Sequence, residues 1–130
     1  MLSYEARSAA APRAAWALLA RPSRWSEWAP HVRGAWGLGE PEVRVGARGF
    51  ARLLGAVPVP ARITAKDPGR SWTWSVAGVR MVHRVEPRPE GCTVGVELHA
   101  APPVEAALRI SYGRVVEALV GRLARVAERD

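Results

Sequence analysis

The chain has 130 residues, of which 48% are hydrophobic and 24% are charged, and its formal net charge is +7. This composition is typical of a globular protein and excludes a disordered one, and the length favours a single domain. The single cysteine, Cys92, excludes an internal disulfide framework, and no apolar run is long enough for a transmembrane helix. The N-terminus lacks the pattern of a secretory signal, so we expect a cytoplasmic protein.

The positive charge comes almost entirely from arginine, since Lys66 is the only lysine. Arginine replaces lysine in a chain that is also rich in Ala, Gly and Pro, which is the bias that a GC-rich genome produces without selection for function. The arginines are scattered and never form a run of three. The charge permits an RNA-binding role as a third alternative, but its pattern argues against nucleic acid as a partner.

The hydrophobic periodicity predicts an α+β protein. Alternation over residues 2–8 predicts a strand, and a helix follows over Pro12–Ala20, with a second short helix over Pro22–Trp28. Period-two patterns separated by turn residues then predict six strands in hairpin succession, which would form an antiparallel sheet. These strands are His31–Leu38, Val43–Leu54, Val59–Lys66, Ser71–Val76, Val79–Glu86 and Cys92–Ala100.

After Pro102 and Pro103, apolar residues at spacings of three and four predict one long amphipathic helix. This helix must bury its apolar stripe against the sheet. The stripe consists of Leu108, Tyr112, Val115, Leu119, Leu123 and Val126.

The hairpin turns predict which side chains share the inner face of the sheet. A two-residue Ala77-Gly78 loop places Trp74 opposite Met81 and Trp72 opposite His83. A four-residue Asp67–Arg70 loop places Ala65 opposite Trp72 and Ile63 opposite Trp74, and an even loop in the last hairpin places His83 opposite Val94 or Val96. His83 is then the one ionisable residue on this face. The full set is Val59, Ala61, Ile63, Ala65, Trp72, Trp74, Val76, Met81, His83, Val85, Val94, Val96 and Leu98.

The strand Val43–Leu54 allows two registers. A two-residue Gly55-Ala56 loop turns Arg48, Phe50, Arg52 and Leu54 inward, whereas a loop one residue longer turns Gly49, Ala51 and Leu53 inward. The second register is favoured because a guanidinium group is costly to bury without an anion or water. The first would give Arg48 and Arg52 a role in binding a ligand.

Seven short motifs lie along the chain: Ala10–Arg21, Trp25-Ser26-Glu27-Trp28, Val43-Arg44-Val45-Gly46, Ile63–Pro68, Trp72-Thr73-Trp74, His83-Arg84-Val85-Glu86 and Glu90–Val94. In their order and spacing they resemble the START-like polyketide cyclase/dehydrase superfamily (SRPBCC). The resemblance covers nearly the whole chain and implies a single START-like domain over residues 1–130. It implies a helix-grip fold, in which a curved antiparallel sheet of about seven strands surrounds a long C-terminal helix and leaves a cavity for a hydrophobic ligand.

Our first hypothesis is that a small hydrophobic or aromatic metabolite binds between the sheet and the C-terminal helix. Trp72, Trp74 and Met81 would supply contact area, while His83 and Tyr112 would orient the ligand, together with Arg48 or Arg52. For the aromatic residues and His83 the competing interpretation is ordinary core packing.

The alternative hypothesis is an aromatase/cyclase-type enzyme that assists cyclisation or dehydration, with His83 or Tyr112 as the proton shuttle. We expect no cofactor. His31, His83 and His99 lack a metal-binding spacing, and His83 and His99 point to opposite faces, so we expect no metal site. Trp16, Trp25 and Trp28 are predicted to attach the helices to the sheet. Aliphatic residues could form a homodimer contact, which the sequence does not locate.

Overall fold

The computed structural model of the chain describes residues 1–29, 32–53 and 58–129. Its order of elements matches the predicted one up to the C-terminus, where two helices replace the single predicted helix. The third strand begins at Arg48 instead of Val43, and His31 and Leu54, the predicted ends of two strands, lie outside the described residues, as does the Gly55-Ala56 turn. A 3-10 helix over Pro22–Glu27 follows the first α-helix. The other elements are β1 (Leu2–Ser8), α1 (Pro12–Ala20), β2 (Val32–Trp36), β3 (Arg48–Leu53), β4 (Pro58–Asp67), β5 (Ser71–Val76), β6 (Val79–Arg88), β7 (Gly91–His99), α2 (Pro102–Ser111) and α3 (Gly113–Ala127).

The strands form one curved antiparallel sheet of seven in the order β1-β7-β6-β5-β4-β3-β2. Consecutive hairpins place β2 to β7 side by side, and β1 returns to pair with β7 at the other edge. The α3 helix packs on the inner face, where it contacts β1 and β7. The predicted α+β class and antiparallel sheet are therefore confirmed.

Two hairpins have the predicted register. Ala77 and Gly78 form a two-residue turn with φ of 51° and 79°, which matches the right-handed twist of the flanking strands. This turn pairs Trp74 with Met81 and Trp72 with His83. In the next hairpin the loop is also even, and His83 lies opposite Val96.

The β4–β5 hairpin differs from its predicted register. Asp67 pairs with Ser71 across a three-residue loop in which Gly69 has φ of 79°, so the expected four-residue loop is wrong. A bulge between Ile63 and Ala65 absorbs the shift, and Ile63 still lies opposite Trp74. On the loop side of the bulge, the three-residue loop turns Ala65 out to solvent and places Lys66 opposite Trp72 instead.

The β3 strand adopts the register that buries glycine and alanine. Gly49 and Ala51 are buried, while Arg48 and Arg52 are exposed. A Cβ atom on Gly49 would collide with the carbonyl oxygen of Trp36 on the neighbouring strand, so a side chain does not fit on this face. Arg48 and Arg52 therefore point away from the interior, and the expectation that either orients a ligand there is wrong.

The C-terminal helical region is interrupted at Tyr112, whose φ and ψ are −124° and −17°. The predicted continuous stripe is therefore divided between two helices, and Val115 is 36% exposed instead of buried. The α2 helix has no buried residue. The α3 helix buries Gly113, Val116, Val120, Leu123, Ala124 and Ala127.

The C-terminal end of α1 is completed by tryptophan side chains. The helix stops because Pro22 disfavours helical geometry at Arg21, which is extended with φ of −98° and ψ of 108°. The last carbonyls of a helix lack partners within it. Trp28 donates its indole N–H to the carbonyl of Leu18 at 2.9 Å.

The carbonyl of Leu19 accepts two such bonds, from Trp25 at 2.9 Å and from Trp72 at 3.1 Å. Because Trp72 lies on β5, this carbonyl joins α1, the 3-10 helix and the centre of the sheet. The indole bonds of Trp25 and Trp28 attach the 3-10 helix to α1, and the indole bond of Trp72 joins α1 to the sheet.

Candidate functional site

A cavity of about 60 Å³ lies between the inner face of the sheet, the 3-10 helix and α3. Five sequence-predicted residues line it, whereas Arg48 and Arg52 do not. The additional residues come from the 3-10 helix and the two residues after it, from β7 and from α3, where Leu119 belongs to the predicted stripe and Val116 and Val120 do not. The lining consists of Trp25, Trp28, Ala29, Trp72, Trp74, Met81, His83, Val96, Tyr112, Val116, Leu119 and Val120.

Three flat rings form a parallel column beside the cavity. The rings of Trp25 and Trp72 stack with centroids 5.5 Å apart and planes 10° apart. The ring of His83 also stacks on Trp72, with centroids 3.8 Å apart and planes again 10° apart. Trp74 meets Trp72 edge-on, at 5.5 Å and 87°. The column makes the wall rigid and flat, because stacked and edge-on contacts fix each ring against its neighbours.

His83 is neutral and carries its proton on Nδ1. Nδ1 lies 3.3 Å from the backbone oxygen of Trp72, and since a carbonyl can only accept, Nδ1–H is the donor. Burial lowers the pKa of His83 to about 3, although this hydrogen bond opposes the shift. Nε2 therefore holds a free lone pair, and no partner for it occurs within residues 1–29, 32–53 and 58–129.

Trp74 and Met81 face each other across the β5–β6 hairpin. The indole N–H of Trp74 donates to the sulfur of Met81 at 3.1 Å. A thioether is a weak acceptor, so this N–H can exchange its partner for a stronger oxygen acceptor at little cost. The cavity wall thus offers one acceptor at His83 and one donor at Trp74.

Tyr112 is the second titratable side chain of the wall. It lies at the break between α2 and α3, and burial raises the pKa of its phenol above the ordinary value of 10. The phenol is therefore neutral at physiological pH, and it can both donate and accept a hydrogen bond.

The arrangement suits non-covalent binding of an apolar molecule. The cavity lining contains no serine, cysteine or carboxylate among the residues that the structure describes, so it supplies no nucleophile there. A histidine with a pKa near 3 is a weak general base at neutral pH. Cys92 is buried elsewhere, and burial raises the pKa of its thiol.

The remaining histidines do not extend the site. His99 lies 3.2 Å from a carboxylate oxygen of Glu97 and is not part of the cavity lining, and His31 lies outside the described residues. The described part of the chain contains no group of His, Cys, Asp and Glu that could hold a metal ion. Nor does it contain a helix that is long and apolar enough to span a bilayer.

Comparison with known proteins gives a family match over residues 2–128, to the family described as polyketide cyclase/dehydrase and lipid transport. A protein from Mesorhizobium loti with a known crystal structure is 16% identical in sequence to this chain. The two structures have a TM-score of 0.79, and the match covers 98% of this chain and 96% of the other. A polyketide-cyclase-like protein from Corynebacterium glutamicum is 18% identical, with a TM-score of 0.66 over 98% and 90%.

A protein of the dynemicin biosynthetic locus is 18% identical, with a TM-score of 0.72 over 98% of this chain and 46% of that one. These likenesses show the fold. No curated protein matches the sequence.

Proposed function

The chain belongs to the polyketide cyclase/dehydrase and lipid transport family, and on that premise we propose that it binds a small, flat, hydroxylated metabolite between the sheet and α3. The observation that carries the proposal is the Nε2 atom of His83, a buried acceptor without a described partner in a mostly apolar wall. Buried polar groups are nearly always hydrogen-bonded. A phenol or enol hydroxyl from a ligand would satisfy this nitrogen.

The hydrogen-bonding groups also indicate what else the ligand carries. The indole N–H of Trp74 now has only the sulfur of Met81 as its acceptor. A carbonyl oxygen would be a better one, and the nearby ring column would stack on an aromatic body. A molecule with a ring, a hydroxyl and a carbonyl oxygen therefore fits the wall best.

The size of the cavity requires one wall to move when such a ligand binds. A volume of about 60 Å³ is smaller than the roughly 150 Å³ that admits benzene and much smaller than a typical ligand pocket of about 300–1,000 Å³. The α2 helix buries no residue, so displacing it exposes little apolar surface. Tyr112, where α2 meets α3, is the wall residue best placed to move with it.

Two naphthalene derivatives test the proposal, because 2-naphthol carries a hydroxyl donor and 2-methoxynaphthalene does not. We expect both to quench tryptophan fluorescence, with 2-naphthol bound about two- to tenfold more tightly, since one net hydrogen bond contributes about 0.5–1.4 kcal/mol. His83→Phe keeps a ring against Trp72 but removes the nitrogen, and it should abolish this preference. His99→Gln is the matched control and should keep it.

Equal affinity of the wild-type protein for the two probes would contradict the proposal. So would a preference that survives in His83→Phe, provided that circular dichroism shows both variants to be folded. Native mass spectrometry of protein purified from its own organism would then identify the natural occupant by the mass lost on denaturation.

An enzyme of the aromatase/cyclase type is the second candidate. The family description and the fold shared with a protein of the dynemicin biosynthetic locus favour it. Catalysis would then come mainly from holding a flexible polyketone in a reactive shape, with the neutral phenol of Tyr112 as the hydrogen-bond donor to an enolising carbonyl. His83 would orient the substrate, because its low pKa makes it a weak base.

A synthetic poly-β-ketone tests this candidate. The enzyme hypothesis expects faster growth of aromatic absorbance with the protein than without it, and a lower rate in Tyr112→Phe. Equal rates with and without the protein would leave binding alone as the function.

A further inference from the structure

The face of the sheet opposite the cavity carries a patch of exposed arginine and aromatic side chains. Direct pairing places Arg48 opposite Arg62, Arg62 opposite Ser75, and Ser75 opposite Arg80. Residues directly opposite each other share a face, as do alternate residues of one strand. We call this set the arginine–aromatic patch, and it consists of Trp36, Arg48, Phe50, Arg52, Arg62 and Arg80.

Two aromatic rings form the apolar part of the patch. Trp36 is 45% exposed and Phe50 is 42% exposed, and their rings stack with centroids 5.7 Å apart. The guanidinium carbon of Arg52 lies 5.6 Å from the ring centroid of Trp36. Large aromatic side chains on adjacent strands are rarely left this open without an interaction role.

The charges of the patch are not balanced by carboxylates within residues 1–29, 32–53 and 58–129. Arg48, Arg62 and Arg80 make no ion pair with any residue that the structure describes. By contrast, Arg84 on the same sheet contacts the carboxylates of Glu5, Glu86 and Glu97.

Arg48 and Arg62 also stand directly opposite each other, an arrangement that destabilises a sheet. The row from Arg48 to Arg80 crosses three inter-strand spacings, or roughly 14 Å. Uncompensated like charges in a row point to an anionic partner with several charges.

We propose that the arginine–aromatic patch binds single-stranded nucleic acid. The arginine row would contact successive phosphates, while Trp36 and Phe50 would stack on unpaired bases, which offer a flat face whatever their sequence. A groove of about 540 Å³ beside Phe50, lined by Arg48 and Arg62, gives the strand a path along the sheet. The scattered arginines of the sequence argued against nucleic acid as a partner. The proposal reverses that expectation, because the sheet brings Arg48, Arg62 and Arg80 into one row.

Two other occupants fit the observations less well. A second copy of the chain would bring the same four arginines against these four, and like charges repel. A bilayer surface would require the rings to insert, yet each is more than half covered and the patch is flanked by a groove.

The test is fluorescence anisotropy with a labelled twelve-residue oligo(U) RNA and its oligo(dT) counterpart, from 50 to 300 mM salt. We expect binding at low salt with a logarithmic salt slope of about −2 to −3, since each neutralised phosphate of a single strand contributes about −0.7. The double variant Arg62→Gln/Arg80→Gln should weaken binding at least tenfold and reduce the slope by about 1.4. Phe50→Leu should weaken binding at least fivefold without changing the slope.

Arg114→Gln/Arg122→Gln is the matched control, because it removes the same charge from two exposed positions of α3. It should bind within twofold of the wild-type protein. Equal losses in the two double variants would overturn the proposal, since only net charge would then matter. The absence of binding to both oligonucleotides at 50 mM salt would also overturn the proposal. The same holds if phosphatidylserine vesicles or a salt-sensitive dimer engage Arg62 and Arg80 and the oligonucleotides do not.

Discussion

The imidazole of His83 lies flat on the indole of Trp72, with ring centroids 3.8 Å apart, and its Nδ1–H donates to the backbone oxygen of the same residue. One neighbour thus fixes both the plane of the imidazole and its tautomer. The two residues are directly opposite in the β5–β6 hairpin, so the two-residue turn at Ala77-Gly78 determines their contact. The lone pair on Nε2 follows from this geometry and makes His83 an acceptor at the cavity.

The burial of His83 makes the stability of the fold depend on pH. The pKa is about 3 in the folded state, against 6.5 as the ordinary value, so between these pH values the unfolded chain binds a proton that the folded chain does not. The free energy of unfolding should therefore fall by about 1.4 kcal/mol for each pH unit below 6.5. Urea denaturation at pH 7 and pH 5 should show a loss of about 2 kcal/mol in the wild-type protein.

His83→Phe should remove this loss, whatever its stability at pH 7, while His99→Gln should keep it. Tyr112, the other titratable group of the cavity wall, stays neutral across the interval because its pKa is raised. Parallel pH profiles for the wild-type protein and His83→Phe would mean that the pKa of His83 is the same in the folded and the unfolded chain, which would contradict this prediction.

The shared carbonyl of Leu19 predicts non-additive substitutions. Trp25→Phe or Trp72→Phe alone leaves this oxygen one indole donor, whereas the double variant leaves it none. Leaving a buried acceptor unpaired costs about 1–3 kcal/mol. The free energies of unfolding should therefore show a coupling of about 1 kcal/mol or more. The double variant should be less stable than the summed effects of the two single substitutions predict.

Trp25→Phe combined with Trp28→Phe is the control cycle, because Trp28 bonds the separate carbonyl of Leu18. These two substitutions should add within about 0.5 kcal/mol. An equally large coupling in both cycles would assign the effect to general packing instead.

Two glycines of α3 should respond in opposite ways to substitution by alanine. Alanine is the better helix former by about 1 kcal/mol, and at Gly121 the added Cβ meets only the flexible end of Arg125 at 3.4 Å. At Gly113 it would lie 2.5 Å from the hydroxyl oxygen of Tyr4. Thermal unfolding should show Gly121→Ala stabilised and Gly113→Ala destabilised.

Tyr4→Phe should rescue Gly113→Ala, since it removes the hydroxyl that the new Cβ would meet. If Gly113→Ala is as stable as Gly121→Ala without this second substitution, Tyr4 does not constrain the start of α3.

Local patterns predicted the parts of the fold that depend on neighbouring residues. Ala77 and Gly78 permit a turn with two positive φ angles, and the period of two then assigned Trp74 and His83 to the inner face. The register of β3 could also be deduced, because burying Arg48 without an anion is costly. The cavity residues found in this way came from strands with strict alternation.

Other features depend on residues that are distant in the sequence. The segment Asp67–Arg70 is compatible with loops of three or four residues, so the bulge near Ala65 had no local signal. The apolar spacing continues through Gly113, and the contact with Tyr4 on β1 lies more than a hundred positions away. Arg62 and Arg80 share a row with Arg48 only after four strands have been aligned.

The space beside Val96 predicts that one added methylene group will stabilise the protein and impair binding. Val96 lies opposite His83 and lines the cavity of about 60 Å³, which can take the additional carbon of Val96→Ile. Burying a methylene contributes about 0.8 kcal/mol, and the smaller cavity should weaken 2-naphthol binding at least tenfold. Val94→Ile is the matched control on the same strand, because Val94 is 0% exposed and not part of the cavity lining.

Overfilling a packed core usually costs about 1–3 kcal/mol, so Val94→Ile should lose stability and leave the affinity for 2-naphthol unchanged in the folded fraction. Urea denaturation and fluorescence titration of the two variants separate these outcomes. Equal destabilisation of both would mean that the space beside Val96 is filled in solution, and the binding site would then have to open at another wall.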